Sequence, residues 1–314
     1  MSPTFAFKIA TAIALSISYA LANPIESRSI DSGTFANLQL FEQFAAAAYC
    51  PSNNNVPNGG TKLTCPTSEN CPLVEADDVT TVYEFQNSLL TDVTGYIALD
   101  HTRSLTVLAF RGSESIRNYI ADADSTTTST DICSGCTADQ GFYNSWQEAK
   151  SGVMSALKTA AAANPSYRVV VVGHSLGGAI AAIAAAELRN GGTTTDLYTY
   201  GQPRIGGAAI SSYITNQNKG GNFRVTHYDD PVPRLPPLLF GFVHISPEYY
   251  IKTGNGVAVT AADFTELTGS INLMGNTANI GNGRDLAAHG WYFNNISACD
   301  TSDSLEILKR GVVG

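Results

Sequence analysis

The feature that most constrains the fold of this chain is a glycine-flanked serine between an apolar strand and an apolar helix. Val169–Val172 predicts a buried central strand, and Gly173-His174-Ser175-Leu176-Gly177 follows it directly. The next segment, from about Gly177 to Arg189, is rich in alanine and apolar on every side, which predicts a buried helix. In this strand–turn–helix context, the pattern G-x-S-x-G predicts a serine nucleophile on a tight turn.

The two glycines of the pattern have a mechanical role. The turn is so tight that side chains at Gly173 and Gly177 would collide with it, and Ser175 must adopt a strained backbone. The N-terminus of the helix that follows favours the negative charge that develops on an ester under attack. The alternative is a glycine-rich turn with an incidental serine, and the flanking strand and helix favour the nucleophile.

A serine hydroxyl is a weak nucleophile and needs a base that a carboxylate orients. In α/β hydrolases the order along the chain is Ser, Asp, His. Phe223–His227 predicts a strand, and Asp230 follows its end in a stiff proline-rich turn, where the acid is expected. Asp229 is the alternative acid, and His227 is expected to be a structural residue of the strand.

The candidate base is His289, which lies close to the C-terminus and shortly before Cys299. The alternative base is His244, which otherwise would line the rim of the pocket. The oxyanion hole needs two backbone N–H donors. The predicted donors are Leu176, directly after the nucleophile, and the loop Arg111-Gly112-Ser113 after the strand Leu105–Phe110.

Strands and helices alternate through the rest of the chain, which predicts a mostly parallel sheet covered on both faces, the α/β-hydrolase fold. We expect one domain over residues 29–300, without repeats or a linker. The other predicted strands are Thr81–Phe85, Val93–Leu99 and Leu197–Tyr200, and a long helix is predicted over Gly141–Ala163.

Both ends of the chain are expected to lie outside this domain. Residues 1–22 predict a signal peptide, because a short apolar stretch follows Lys8 and ends in Ala20-Leu21-Ala22. Residues 23–28 form a candidate propeptide, and residues 301–314 a candidate processed tail. No other run approaches the roughly 18 apolar residues of a membrane helix. We therefore expect an extracellular protein without a transmembrane segment.

The charge pattern excludes one class of partner. The formal net charge is −9, only 14% of residues are charged, and no Lys/Arg cluster is present. Nucleic acid is therefore not expected as a partner, because neutralising its phosphates needs concentrated basic charge. Contact with a lipid surface would be made by apolar residues. No metal, nucleotide or flavin is implied, so no cofactor is expected.

Six cysteines in a secreted chain predict three disulfides, and fifteen pairings are possible. Closeness in sequence favours Cys65 with Cys71 and Cys133 with Cys136, which leaves Cys50 with Cys299. A zinc site at Cys133-x-x-Cys136 is disfavoured, because no second Cys or His pair accompanies it.

Several segments, in order across roughly residues 35–300, resemble fungal secreted class 3 lipases. They are Ala48-Tyr49-Cys50, Phe110–Ser113, Gly173–Gly178, Asp230–Pro237 and His289–Phe293. The resemblance implies a Ser175–Asp230–His289 triad, an oxyanion hole at Ser113 and Leu176, and the same three disulfides. It also implies a lid over the site, carried by Gly112 to about Thr127.

Residues within the lid segment bear on the substrate. Ile116, Tyr119 and Ile120 fall on one face of a single helical turn, so they could dock on the site in water and swing away at an oil surface. Leu238–Phe242 would add an apolar mouth for long acyl chains, or else pack in the core.

The leading interpretation is a monomeric triacylglycerol lipase that acts on lipid esters at an oil–water interface through an acyl-enzyme intermediate. The resembling family also contains feruloyl esterases, so a feruloyl or other short-chain carboxylesterase is the alternative. A secreted binding protein without activity would leave the complete triad unexplained.

Overall fold

The run Val169–Val172 lies in a central strand of a nine-stranded sheet. Val170 and Val172 contribute to the hydrophobic core on one face, and Val171 contributes to the core on the other. Successive side chains of a strand point to opposite faces, so a strand covered on both sides needs apolar residues at every position. The structure is a computed structural model that describes residues 27–66, 70–86, 88–113, 125–278 and 286–300.

The strands of this sheet are β1 Ser27–Arg28, β2 Val79–Phe85, β3 Gly95–Asp100, β4 Leu105–Phe110, β7 Arg168–His174, β8 Thr195–Tyr200, β9 Asn222–His227, β10 Glu248–Ile251 and β11 Phe264–Leu267. Their order across the sheet is β1-β11-β10-β9-β8-β7-β4-β3-β2. The five strands from β10 to β4 are parallel to one another, and the pairs at both flanks are antiparallel. A separate hairpin joins β5 Thr127–Ser129 to β6 Thr137–Asp139.

Helices cover both faces of the sheet. Their bounds are α1 Ser32–Ala47, α2 Pro72–Glu75, α3 Gln140–Ala163, α4 Leu176–Asn190, α5 Ala208–Thr215 and α6 Leu286–His289. One face carries α1, which contacts β7 and β8, and the other carries α3 and α4, which contact each other and the sheet. The predicted α/β-hydrolase architecture is thus confirmed, and the strands and helices that were predicted lie at or within a few residues of their expected bounds.

The structure pairs the six cysteines as Cys50–Cys299, Cys65–Cys71 and Cys133–Cys136. The first disulfide joins the end of α1 to the segment that follows α6, and so ties the two ends of the domain together. Across the described residues, every helix is too short or too polar to cross a bilayer.

Candidate active site

Ser175 lies on the turn between β7 and α4, at the carboxyl edge of the parallel strands. Its backbone has φ 56° and ψ −129°, a conformation that side-chain-bearing residues rarely adopt. Ser175 N–H donates to the carbonyl of Tyr200 at 2.9 Å, which anchors the turn to β8. A Cβ on Gly173 would overlap the backbone of Gly177, as predicted for this turn.

Asp230 and His289 meet beside this turn. His289 Nδ1 lies 3.0 Å from Asp230 Oδ1 and 2.9 Å from Oδ2, and both side chains are buried. Asp230 also accepts the hydroxyl of Tyr292 at 2.6 Å and the N–H of Val232 at 2.8 Å. Burial alone raises the pKa of Asp230, but the charge and hydrogen bonds of these neighbours outweigh it and lower the pKa.

The tautomer of His289 follows from these contacts. Asp230 stays an ionised carboxylate, which only accepts hydrogen bonds, so His289 Nδ1 carries the proton. His289 Nε2 is then bare and free to accept a proton. Within the described residues, neither His289 Nε2 nor Ser175 Oγ has a hydrogen-bond partner, although both are buried.

Both atoms belong to residues that line one cavity of about 410 Å³. Ser113 lines the same cavity, and Leu176 begins α4 directly after Ser175. The first N–H groups of a helix have no partner within it, so Leu176 N–H is available as a donor. Gly112 N–H donates to the hydroxyl of Tyr49 at 3.2 Å, so this loop donor is already engaged.

The alternatives for acid and base do not meet the site. Asp229 is partly exposed, whereas Asp230 holds His289. His244 is buried, and its Nε2 lies 2.6 Å from the carbonyl of Pro233, so the role at the pocket rim considered for it is wrong. His227 is fully buried within β9, as expected for a structural residue.

A hydrogen-bonded chain behind the site was not foreseen from the sequence. Gly112 N–H donates to Tyr49, the Tyr49 hydroxyl lies 2.6 Å from His174 Nδ1, and His174 Nε2 lies 2.9 Å from the carbonyl of His289. Gly112 N–H can only donate and the carbonyl of His289 can only accept. All three hydrogen bonds are therefore donated in the direction from Gly112 to His289, and the proton of His174 is on Nε2.

His174 is thus a neutral link between the loop of Ser113 and the backbone of His289. Burial, with the nearby His289, lowers the pKa of His174 to about 3. Its ring packs against the ring of His289, with centroids 4.5 Å apart. A signal for these hydrogen bonds was present in the sequence, because Tyr49 and His174 both fall in the segments that carry the family resemblance.

The predicted lid residues Ile116, Tyr119 and Ile120 lie outside the described residues. The segment Leu238–Phe242, predicted either to form an apolar mouth or to pack in the core, does both in part: Leu239 and Phe240 are exposed, whereas Phe242 is buried. None of these three residues lines the cavity that contains Ser175.

Within the described residues, one group of side chains comes close enough to share a metal ion, formed by Cys50, Cys65 and Cys299. All three form disulfides, so none offers the thiolate that binds a metal.

A parallel sheet that carries a serine on its strand–helix turn, beside a buried Asp–His pair, defines a serine hydrolase of the α/β-hydrolase class. Residues 107–240 match the family model described as Lipase (class 3). With the relatives described next, this match shows that the chain belongs to the class 3 lipase family.

Three relatives illustrate the similarity. The secreted mono- and diacylglycerol lipase A of Penicillium cyclopium is 43% identical over 297 residues, 93% of this chain and 95% of that protein. The secreted mono- and diacylglycerol lipase 1 of Fusarium solani is 38% identical over 90% of this chain and 86% of that protein. The crystal structure of mono- and diacylglycerol lipase from Aspergillus oryzae is similar with a TM-score of 0.79 and 41% identity, covering 84% of this chain and 97% of that one.

These findings confirm the family resemblance and the predicted activity class. The protein is a lipase, a hydrolase of carboxylic esters of lipids, and it is a secreted protein like these relatives.

Proposed function

We propose that this lipase hydrolyses acylglycerols with Ser175 as nucleophile, His289 as general base and Asp230 as the carboxylate that orients it. The observation that carries the proposal is the buried Asp230–His289 pair at 2.9 Å, in which His289 Nε2 has no hydrogen-bond partner among the described residues and His289 lines the same cavity as Ser175. Hydrogen bonds at such sites are often long in the free enzyme and tighten once substrate is bound.

Acylation begins when Ser175 Oγ attacks the ester carbonyl and His289 Nε2 takes its proton. The imidazolium is stabilised by Asp230, which Tyr292 and Val232 hold in place. Leu176 N–H and the Ser113 region stabilise the oxyanion. The intermediate collapses to a serine ester, and His289 gives the proton to the departing alcohol. Water, activated by His289, then releases the fatty acid.

We further infer that mono- and diacylglycerols are preferred over triacylglycerols. Three similar proteins, 38–43% identical to this chain, are named for that substrate class. The more distant relatives from Rhizomucor miehei and Rhizopus niveus, 32% and 30% identical, are named only as lipases.

The substrate proposal is tested with the secreted protein on four esters: a long-chain diacylglycerol emulsion, the matching triacylglycerol, a soluble short-chain ester and a feruloyl ester. We expect the highest kcat/KM on diacylglycerol and no turnover of any ester by Ser175→Ala. Preference for the triacylglycerol would overturn the substrate choice. Preference for the feruloyl ester would replace the lipase assignment with the esterase alternative.

The lid also remains a proposal. Ile116, Tyr119 and Ile120 would close over Ser175 in water, and opening would exchange their burial for contact with lipid. Replacing all three with serine should erase the rise in activity when a glyceride passes its solubility limit. Hydrolysis of a soluble short-chain ester should be unchanged, and simple saturation by the unmodified protein would contradict a lid.

A further inference from the structure

An exposed apolar turn stands beside the active site, outside the lid segment. Leu89 and Leu90 lie in the connection between β2 and β3, and their side chains are 97% and 88% exposed. Single exposed apolar residues are common on protein surfaces. Two neighbouring leucines that are both almost fully exposed at the tip of one turn bury almost no apolar surface, so they do not stabilise the folded chain through burial.

The turn is nevertheless held firmly in place by Glu148 of α3. The Glu148 carboxylate accepts hydrogen bonds from Ser88 Oγ at 2.7 Å, from Thr91 Oγ1 at 2.6 Å, and from the N–H groups of Leu90 and Thr91 at 3.1 and 3.0 Å. Ser88 Oγ also accepts the N–H of Val93 at 3.0 Å. The exposed tip is therefore a fixed projection. We call residues Ser88–Asp92 the anchor turn.

The anchor turn lies at the edge of the sheet that carries the active site. Gly95, at the start of β3, pairs with Phe110 at the end of β4, and Phe110 pairs with Gly173 at the end of β7. Arg111, which follows β4, donates its N–H to the carbonyl of Thr94 at 2.9 Å. The two residues after Arg111 are Gly112 and Ser113, so the turn borders the loop that lines the cavity.

The charges near the tip fit an uncharged lipid surface. Asp92 Oδ2 forms an ion pair with Arg111 at 3.3 Å, and the Glu148 carboxylate is occupied by the turn. Neither leucine is accompanied by a lysine or arginine in the anchor turn, and the chain carries a net charge of −9. An anionic membrane would repel such a protein, whereas a neutral glyceride surface would accept the apolar tip.

We propose that the anchor turn is a fixed lipid anchor, which inserts Leu89 and Leu90 into a neutral glyceride surface and so holds the cavity mouth against its substrate. The proposal rests on the lipase assignment, but it concerns binding to the surface and not the chemical step. It is also independent of the lid, since the turn needs no movement to expose its leucines.

Insertion is measured directly with Leu90→Trp in the full-length Ser175→Ala protein, which binds substrate lipid without consuming it. Vesicles of phosphatidylcholine with diacylglycerol should shift the emission of this tryptophan to shorter wavelength, and brominated lipid should quench it. The matched control is Tyr213→Trp on α5, beside Asn190 at the far end of α4, which should show neither effect beyond the response of Trp146 and Trp291 in the parent Ser175→Ala protein. An unchanged emission from Leu90→Trp would overturn the proposal.

Loss of the anchor is tested by replacing Leu89 and Leu90 together with serine, and the conservative control replaces both with methionine. Each leucine lost should weaken vesicle binding by about tenfold or more, and emulsion activity should fall in parallel. Turnover of a soluble short-chain ester should be unchanged in both variants. Equal vesicle binding by the serine and methionine variants would overturn the anchor while leaving the lipase assignment intact.

A second copy of the chain is the competing occupant of the tip. In that case, the emission of Leu90→Trp would shift with protein concentration in the absence of lipid, and the serine variant would be monomeric where the parent protein is not. That outcome would replace the lipid anchor with a protein interface.

Discussion

Asp230 accepts hydrogen bonds from three neighbours, His289, Tyr292 and Val232, in a fully buried setting. An asparagine at this position would present a neutral amide, which cannot stabilise the positive charge of the His289 imidazolium. It would also favour the wrong tautomer of His289. Asp230→Asn should therefore reduce kcat on a soluble ester by about 10⁴-fold, with little change in fold by circular dichroism.

The neighbouring Asp229 supplies the matched control for this substitution. Asp229→Asn should retain most of the activity, because Asp229 is partly exposed and the carboxylate bonded to His289 Nδ1 is that of Asp230. Greater damage from Asp229→Asn than from Asp230→Asn would show that the acid has been misassigned.

At the residue scale, the sequence identified candidate site residues where the catalytic chemistry requires a fixed motif or a fixed order along the chain. Ser175, Asp230 and His289 could be chosen because the motif and the order along the chain restrict the candidates. The hydrogen bonds through Tyr49 and His174 could not be derived in this way. Its members lie 125 residues apart, and only the folded sheet brings them within 2.6 Å.

At the scale of single elements, α4 depends on a close approach to the loop after β4. A Cβ on Gly177 would overlap the backbone of Phe110 and Arg111, which cannot yield without moving the Ser113 loop. Gly177→Ala should therefore lower both the stability, by about 1–3 kcal/mol as in other overpacked sites, and the activity. Urea unfolding and a soluble-ester assay measure the two effects.

The control lies at the other end of the same helix. Gly191 has φ −71°, and an added Cβ there meets only ordinary contacts, the nearest at 3.4 Å. Gly191→Ala should be neutral or slightly stabilising. Equal loss of activity in both variants would show that the close approach at Gly177 is not what the site requires.

The elements that the sequence predicted best are those with a uniform environment. The strand Leu105–Phe110 has its predicted bounds, because every position of β4 is buried. Helix α1 was not predicted, since buried polar residues such as Glu42 and Gln43 interrupt its apolar pattern. Strands β10 and β11 have four residues each, too few to display a period of two.

At the scale of the whole molecule, buried histidines make stability depend on pH. Burial lowers the pKa of His174 from 6.5 to about 3, and burial together with two nearby arginines lowers the pKa of His244 in the same direction. The unfolded chain therefore binds protons that the folded chain excludes, so stability present above about pH 6.5 is lost as the pH falls towards 3.

Each such proton contributes a slope of about 1.4 kcal/mol per pH unit. The free energy of unfolding, measured in urea from pH 7 to pH 4, should show this slope. His174→Asn should reduce the slope by about the contribution of one proton. An identical slope in the His174→Asn protein and its parent would mean that His174 is not buried as a neutral imidazole.

The Cys50–Cys299 disulfide spans a sequence separation of 249 residues, whereas Cys133–Cys136 spans 3. On the chain-entropy model the long loop contributes about 5 kcal/mol. Replacing Cys50 and Cys299 with serine should lower the urea midpoint strongly and reduce activity, since the bond anchors the segment after His289. The same change at Cys133 and Cys136 should have a small effect, and the reverse order would contradict this account.

The central claim is that Ser175 is the nucleophile of the site. Its most direct test is peptide mass spectrometry after reaction with a fluorophosphonate, which phosphonylates an activated serine. We predict one label per chain on the peptide that contains Ser175, loss of ester hydrolysis in proportion to labelling, and no label on the Ser175→Ala protein. Loss of activity with the label on another serine, or ester hydrolysis by the Ser175→Ala protein that the reagent abolishes, would contradict the account.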